Sequence, residues 1–368
     1  MGGGDLPEQP IDERFKISPF LVFYMITSMQ IGIGALGYQR IITQYARNDA
    51  WISVLVTGAC IHLIIWMIYK IAETVEGDLV TAHIYVAGNI VGKVLSSFFI
   101  IYFFVFALTV LRSYLEVIQV WMFPTMSIFW FSLAYMLLCM YIIYGGFRTV
   151  VGIAFFGIVL PSYLFLVFGF NLKFADFQHL LPIWNNSLED ILLGSYHMSL
   201  TFIGFEIILF FYPFIKNPEK SKKWAHLAIL TTTLIYTGLM IITISYFSET
   251  QLKKSIWATL TMWKIVEMPF VERFEYIGIA TWSLVILPNI CISLWVASRL
   301  MRRIFNLRQK NGVIIVAIAV LIVINFINTR DEVGLINDYT GKIGFIFNFI
   351  YIPLLLVAVL IAKKVKKE

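Results

Sequence analysis

Residues Leu188 to Pro213 read LEDILLGSYHMSLTFIGFEIILFFYP. The run is long and apolar enough to cross a bilayer, which takes about 20 residues. Its centre is unsuited to a plain lipid-facing helix. Gly204 sits near the middle, and Glu206 follows it closely. A carboxylate at the bilayer centre costs about 2.5–3.5 kcal/mol on insertion scales, and glycine weakens the helix at the same place. The segment reads as two half-helices meeting near Phe202–Phe205 around a polar cavity. Broken helices of this kind hold substrate and ions in secondary transporters.

The rest of the chain has the composition of a membrane protein. It has 368 residues, 60% hydrophobic and only 14% charged, with mean hydropathy +0.82. This predicts an all-α polytopic integral membrane protein. The net charge of +6 belongs to short loops between spans and gives no reason to expect nucleic acid as a partner. The N-terminus, MGGGDLPEQPIDERFK, has no apolar core, so no cleavable signal peptide is expected. Gly2 opens a myristoylation pattern that Leu6 breaks. Cys60, Cys139 and Cys291 each fall inside a span and read as packing residues, not as a disulfide or metal set.

Ten transmembrane helices are expected. Span 1 covers Ser18 to Tyr45, and its centre, QIGIGALGYQR, holds Gly32, Gly34 and Gly37. Three glycines so close together suggest a second broken helix; a small-residue packing face is the alternative. Span 2 is Trp51 to Tyr69, with His62 read as a packed residue. A loop with a short amphipathic piece occupies 70–93. Span 3, Val94 to Phe123, carries Arg112 and Glu116, which share a helix face and can pair. They belong either to the interface, snorkelling to water, or to a vestibule.

Spans 4 and 5 are Ser127 to Tyr144 and Val150 to Phe170. The polar break Lys173 to Ser187 divides the chain into halves. After span 6, span 7 is Ala225 to Phe247, and Glu249 to Val271, which includes Pro269, reads as short surface helices. Span 8, Phe274 to Ala297, has Pro288 and Asn289 in its middle. Spans 9 and 10 are Val313 to Ile327 and Ile343 to Ala362. The domains are then a tail (1–17), a first five-helix repeat (18–172), a second (173–362) and a basic tail (363–368). Lys and Arg favour the side of both termini by about two to one, which places the termini in the cytoplasm.

The glycine-rich centre of span 1 and the Gly-Phe-Glu centre of span 6 lie five spans apart, so they cross in opposite directions. Two five-span halves that each open on a broken helix are the signature of an inverted repeat, with a site near the midplane. Half-helix N-termini suit a carboxylate and unwound carbonyls suit an ammonium group. A zwitterionic amino acid matches both. Glu206 reads either as a receiver of a ligand amine or proton, or as a structural acceptor for freed backbone amides. The second is favoured because Glu206 lies past the break. His197 reads as core.

In IGIGALGYQR, Arg112-x-x-x-Glu116, FIGFEIILFFYP and Val271-Glu272-Arg273-Phe274-Glu275, the chain resembles the B subunit of GerA-type spore germinant receptors. These form a branch of the amino acid–polyamine–organocation transporter superfamily. The resemblance covers nearly the whole chain. Where related members read Leu-Pro-Arg after the span 1 glycines, this chain has Tyr38-Gln39-Arg40, which unsettles only the end of the second half-helix. The resemblance implies a LeuT-like fold in the spore inner membrane, with both termini facing the cytoplasm or core. It implies an A subunit and a lipoprotein C subunit as partners, and a nutrient germinant such as an amino acid as ligand.

By the same resemblance the pocket is lined by spans 1, 3, 6 and 8. Gly32 and Gly34 would make close backbone contact and Tyr102 would cover the ligand. Phe202, Ile203 and Gly204 would form one wall, and Leu287, Pro288 and Asn289 the facing one. The function implied is binding a small germinant and triggering germination. A proton- or sodium-coupled amino-acid transporter is the alternative, and an ion-channel component is neither favoured nor opposed. No motif of a membrane enzyme is present: there is no metal-spaced His/Cys cluster, nucleophile elbow or P-loop, and no cofactor is expected.

Overall fold

The computed structural model describes residues 11–266 and 272–366. Pro269 and Val271, the tail residues 1–10, and Lys367 and Glu368 lie outside the described residues. In chain order the helices are α1 (Leu21–Gln30), α2 (Tyr38–Ala46), α3 (Ala50–Val75), α4 (Leu79–Ala87), α5 (Asn89–Trp121), α6 (Ile128–Tyr144), α7 (Phe147–Val159), α8 (Tyr163–Val167) and α9 (Leu188–Ser199). They continue as α10 (Ile208–Phe211), α11 (Lys222–Tyr246), α12 (Glu249–Lys254), α13 (Ala258–Trp263), α14 (Phe274–Phe305), α15 (Gln309–Ile324), α16 (Arg330–Phe345) and α17 (Ile352–Val365).

The driving force is the sequence's long apolar runs. With 26 residues at about 1.5 Å each, α3 outspans a hydrocarbon core of about 30 Å. Among the described residues, six helical stretches are long and apolar enough to cross a membrane: Tyr38–Val75, Asn89–Trp121, Phe147–Phe174, Pro218–Tyr246, Phe274–Phe305 and Arg330–Val365. Shorter apolar stretches are Leu21–Gln30, Ile128–Tyr144, Phe205–Phe214 and Gln309–Ile324. The chain is an all-helical integral membrane protein. Helices α5 and α14 pack side by side at the centre, α11 lies on α3, and α1 is held between α7 and α11.

Two local ties set the ends of the bundle. At one end the extended residue Ile17 bridges to Ile215: its N–H donates to the Phe214 carbonyl (2.8 Å), and the Lys216 N–H donates to the Ile17 carbonyl (2.9 Å). At the other end the buried Asp49 carboxylate accepts the backbone N–H groups of Trp184 (2.8 Å), Asn185 (2.8 Å) and Asn186 (3.0 Å). One side chain thereby satisfies three consecutive loop amides.

Three expectations change. The last span begins at Arg330, not Ile343, because Thr329 and Glu332 form a reciprocal capping box that nucleates the helix early. The segment after α12 is not a surface feature: Ala258, Leu260, Met262 and Trp263 of α13 are buried, and Trp263 packs edge-on against Trp282. Arg112 and Glu116 do not pair with each other. Glu116 takes Arg330 (2.5 Å) and Arg112 donates from Nε to the Ile327 carbonyl (2.6 Å). A long-range partner wins over the local four-residue spacing.

Candidate functional site

The site grows from two interruptions. Helix α1 ends at Gln30, Gly32 is extended (φ −141°, ψ −147°), and a short 3-10 turn, Ile33–Leu36, precedes α2. Helix α9 ends at Ser199, and Gly204 adopts φ +119° before the 3-10 turn Phe205–Ile207 that leads into α10. Each interruption strands backbone groups away from water, where an unsatisfied carbonyl or amide is costly.

Side chains from elsewhere take these groups up. Asn289 Nδ2 donates to the Ser28 carbonyl (2.8 Å). Tyr236 donates its hydroxyl to the Gln30 carbonyl (2.7 Å). The Gln30 side chain crosses to the other interruption, and its Nε2 donates to the Phe202 carbonyl (3.0 Å). The Gly204 N–H donates to Glu206 Oε2 (2.6 Å), and Tyr102 donates its hydroxyl to Glu206 Oε1 (2.7 Å). Glu206 is fully buried and accepts both of these bonds. Among the described residues no group donates to Gln30 Oε1.

The interruptions touch. A Cβ at Gly204 would lie 2.7 Å from Met29 Cβ and 3.1 Å from the Met29 carbonyl, and one at Gly34 would lie 2.8 Å from Thr201 Cγ2. Beside this contact is a cavity of about 390 Å³, within the range of small-ligand sites. Gly32, Gly34, Ile203 and Asn289 line it. Its rim reaches the surface near Ile41 and Gly334.

The other expected residues stand behind this lining. Tyr102 is turned to Glu206, Phe202 packs edge-on against Tyr236 (5.2 Å), and Gly204 sits against Met29. Pro288 faces Gly157 of α7, and Leu287 is buried without reaching the cavity. Arg112 and Glu116 do not line it either, although Arg330, the partner of Glu116, does. The proline does not interrupt α14, which runs through it to Phe305.

Beyond the expected residues, Gln30, Arg330, Asn337 and Asp338 line the cavity; His197, expected in the core, does so too and stacks on Tyr45 (4.3 Å). Two signals were available. Gln30 is a polar residue two positions before Gly32, the first of the span 1 glycines. Thr329-x-x-Glu332 is a capping-box pattern that announces a helix with Asn337 and Asp338 on it.

Comparison with known proteins identifies the family. A family model described as a spore germination protein matches residues 16–333. The chain belongs to the spore germination protein family. It is 42% identical over 342 residues to spore germination protein GerQB of Bacillus cereus, covering 93% of this chain and 95% of that protein. To spore germination protein A2 of Bacillus subtilis (strain 168) it is 23% identical over 333 residues, covering 89% and 91%.

Among solved structures, the chain matches the outward-open, substrate-bound Na+-coupled sialic acid symporter. The TM-score is 0.65 at 12% identity, over 92% of this chain and 79% of that one. It matches MhsT in complex with L-phenylalanine at TM-score 0.63 and 14% identity, over 93% and 87%. This germination-family chain therefore has the LeuT-like fold of those transporters.

Proposed function

We propose that this chain is the membrane subunit of a nutrient germinant receptor, and that it binds a small germinant, of amino-acid class, in the cavity beside the two interruptions. The observation that carries the reading is the side-chain capping of the freed backbone groups of Ser28, Gln30, Phe202 and Gly204. It holds irregular backbone beside the cavity without leaving those groups unsatisfied, as broken-helix sites require. The 42% identity to a germination protein supplies the biological context.

On this reading α1 with α2, and α9 with α10, are the broken first and sixth members of ten spans in a 5+5 inverted repeat. The long and short apolar stretches together fit that count. The A subunit and lipoprotein C subunit are its partners, the spore inner membrane its location, and both termini face the core.

The second reading is a proton- or sodium-coupled amino-acid transporter. The cavity that opens at one end while the Ile17–Ile215 bridge ties the other favours it, because a carrier exposes its site to one side at a time. The test is binding and uptake of a labelled amino-acid panel by the purified chain in liposomes. Saturable binding without ion-driven accumulation supports the receptor. Accumulation driven by a proton or sodium gradient supports the transporter. No saturable binding of any member removes the amino-acid reading.

A further inference from the structure

A second, separate cavity of about 450 Å³ lies at the end of the bundle where the Ile17 bridge sits. Lys16, Arg148 and Lys216 border it. Arg148 is held in place without being neutralised: Nε and Nη2 donate to the Lys16 carbonyl (3.1 and 3.0 Å) and Nη2 also to the Glu13 carbonyl (3.3 Å). Among the described residues it forms no ion pair. The two lysines share one carboxylate, Glu13, at 2.8 and 3.8 Å. The neighbouring Asp12 is taken by Arg14 (2.9 Å). Three cations therefore face one carboxylate, and the excess is fixed by backbone geometry.

Apart from Ser18, the remainder of the cavity is apolar. Leu21, Val151 and Phe155 line it, and a Cβ added at Gly152 would meet nothing within 4 Å, so the groove is open along α7. Leu21 and Phe147 are the first residues of α1 and α7. The cations thus stand where two apolar helices begin, at the level of lipid headgroups, and the groove runs from them alongside the helices. A soluble anion would use the charges and leave the apolar walls bare. A molecule with a phosphate at one end and a hydrocarbon chain at the other uses both.

We propose that this groove is a binding site for an anionic phospholipid. Its phosphate and headgroup contact Lys16, Arg148 and Lys216, and the upper part of one acyl chain lies along Val151 and Phe155. The site is independent of the germinant cavity and of the function assigned to it.

The test uses the full chain in detergent micelles, with bound lipid counted by native mass spectrometry. The probes are phosphatidylglycerol, phosphatidylcholine with the same acyl chains, and glycerol 3-phosphate. Phosphatidylglycerol should be retained in preference to phosphatidylcholine, and glycerol 3-phosphate should not compete. Lys216→Gln, whose side chain makes only the 3.8 Å contact, should weaken retention about fivefold, the effect of one cation near an anionic surface. Arg148→Gln should weaken it at least as much. Gly152→Leu, which fills the groove and touches no charge, should expel the lipid. Equal retention of the two lipids, or unchanged retention in Lys216→Gln and Gly152→Leu, would overturn the proposal. Competition by glycerol 3-phosphate as strong as by the lipid would overturn it in favour of a soluble-anion site.

Discussion

Gly204→Ala is the sharpest perturbation of the site. The residue adopts φ +119°, a conformation that costs an ordinary L-residue about 1–3 kcal/mol. The new methyl would also lie 2.7 Å from Met29 Cβ and 3.1 Å from the Met29 carbonyl. Forcing a carbon into a packed interior adds about 1–3 kcal/mol. Together the two effects reach about 2–6 kcal/mol, a large part of the 5–15 kcal/mol that ordinarily separates folded from unfolded. The chain can lower that cost only by moving residues 200–204 away from the end of α1, which disturbs the Gln30 bond to Phe202. Gly238→Ala in α11 is the control, since its Cβ would meet nothing within 4 Å. There alanine should be neutral or stabilising by up to about 1 kcal/mol. The assay is thermal unfolding of both variants in the same detergent, with ligand dose response measured beside it. A Gly204→Ala protein as stable as Gly238→Ala, with an unchanged dose response, would refute both the strain argument and the importance of the contact.

Asn289→Ala removes the donor to the Ser28 carbonyl and a lining side chain at once. It should cost about 1–3 kcal/mol in unfolding experiments and shift the ligand profile. Asp49→Ala leaves the amides of Trp184, Asn185 and Asn186 without their acceptor. The expected loss is about 2–4 kcal/mol, together with new cleavage between 182 and 187 in limited proteolysis. The Lys16 ammonium, hydrogen-bonded to Glu13, holds that carboxyl below its usual value of 4.5. A lowered acid stabilises the folded form above the unfolded value and loses that contribution as pH falls through the folded one. Protection of the Ile17 amide, corrected for intrinsic exchange, should therefore weaken only below about pH 4.5 and be pH-independent there in Glu13→Gln.

Much of the frame was legible because local chemistry dictates it. A glycine and a carboxylate in one apolar run point to Gly204, which has positive φ and a close neighbour, Met29, across the contact. The place of Glu206 just past the break suits an acceptor for freed amides, and it accepts from the Gly204 N–H. The partners across the fold were not legible. Gln30 reaches Phe202 and Asn289 reaches Ser28 over long stretches of chain, and no local pattern encodes either. The first third of Arg330–Val365, residues 330–342, is hidden in the sequence for a different reason. Arg330, Asn337 and Asp338 line the cavity, so that part of the helix is too polar for a hydropathy reading that assumes lipid outside. Pro288, expected on the pocket wall, lies inside an unbroken α14 and faces Gly157.

The capping arrangement also ties the two interruptions into one cooperative unit. Tyr38 donates to the Tyr236 carbonyl, Tyr236 to the Gln30 carbonyl, and Gln30 to the Phe202 carbonyl. The relay runs from α2 through α11 and the end of α1 to the residues after α9. Neither interruption can unwind alone without leaving the other's groups bare. In native-state hydrogen exchange the amides around Gln30 and Gly204 should therefore open together in a single event, although they are remote in sequence.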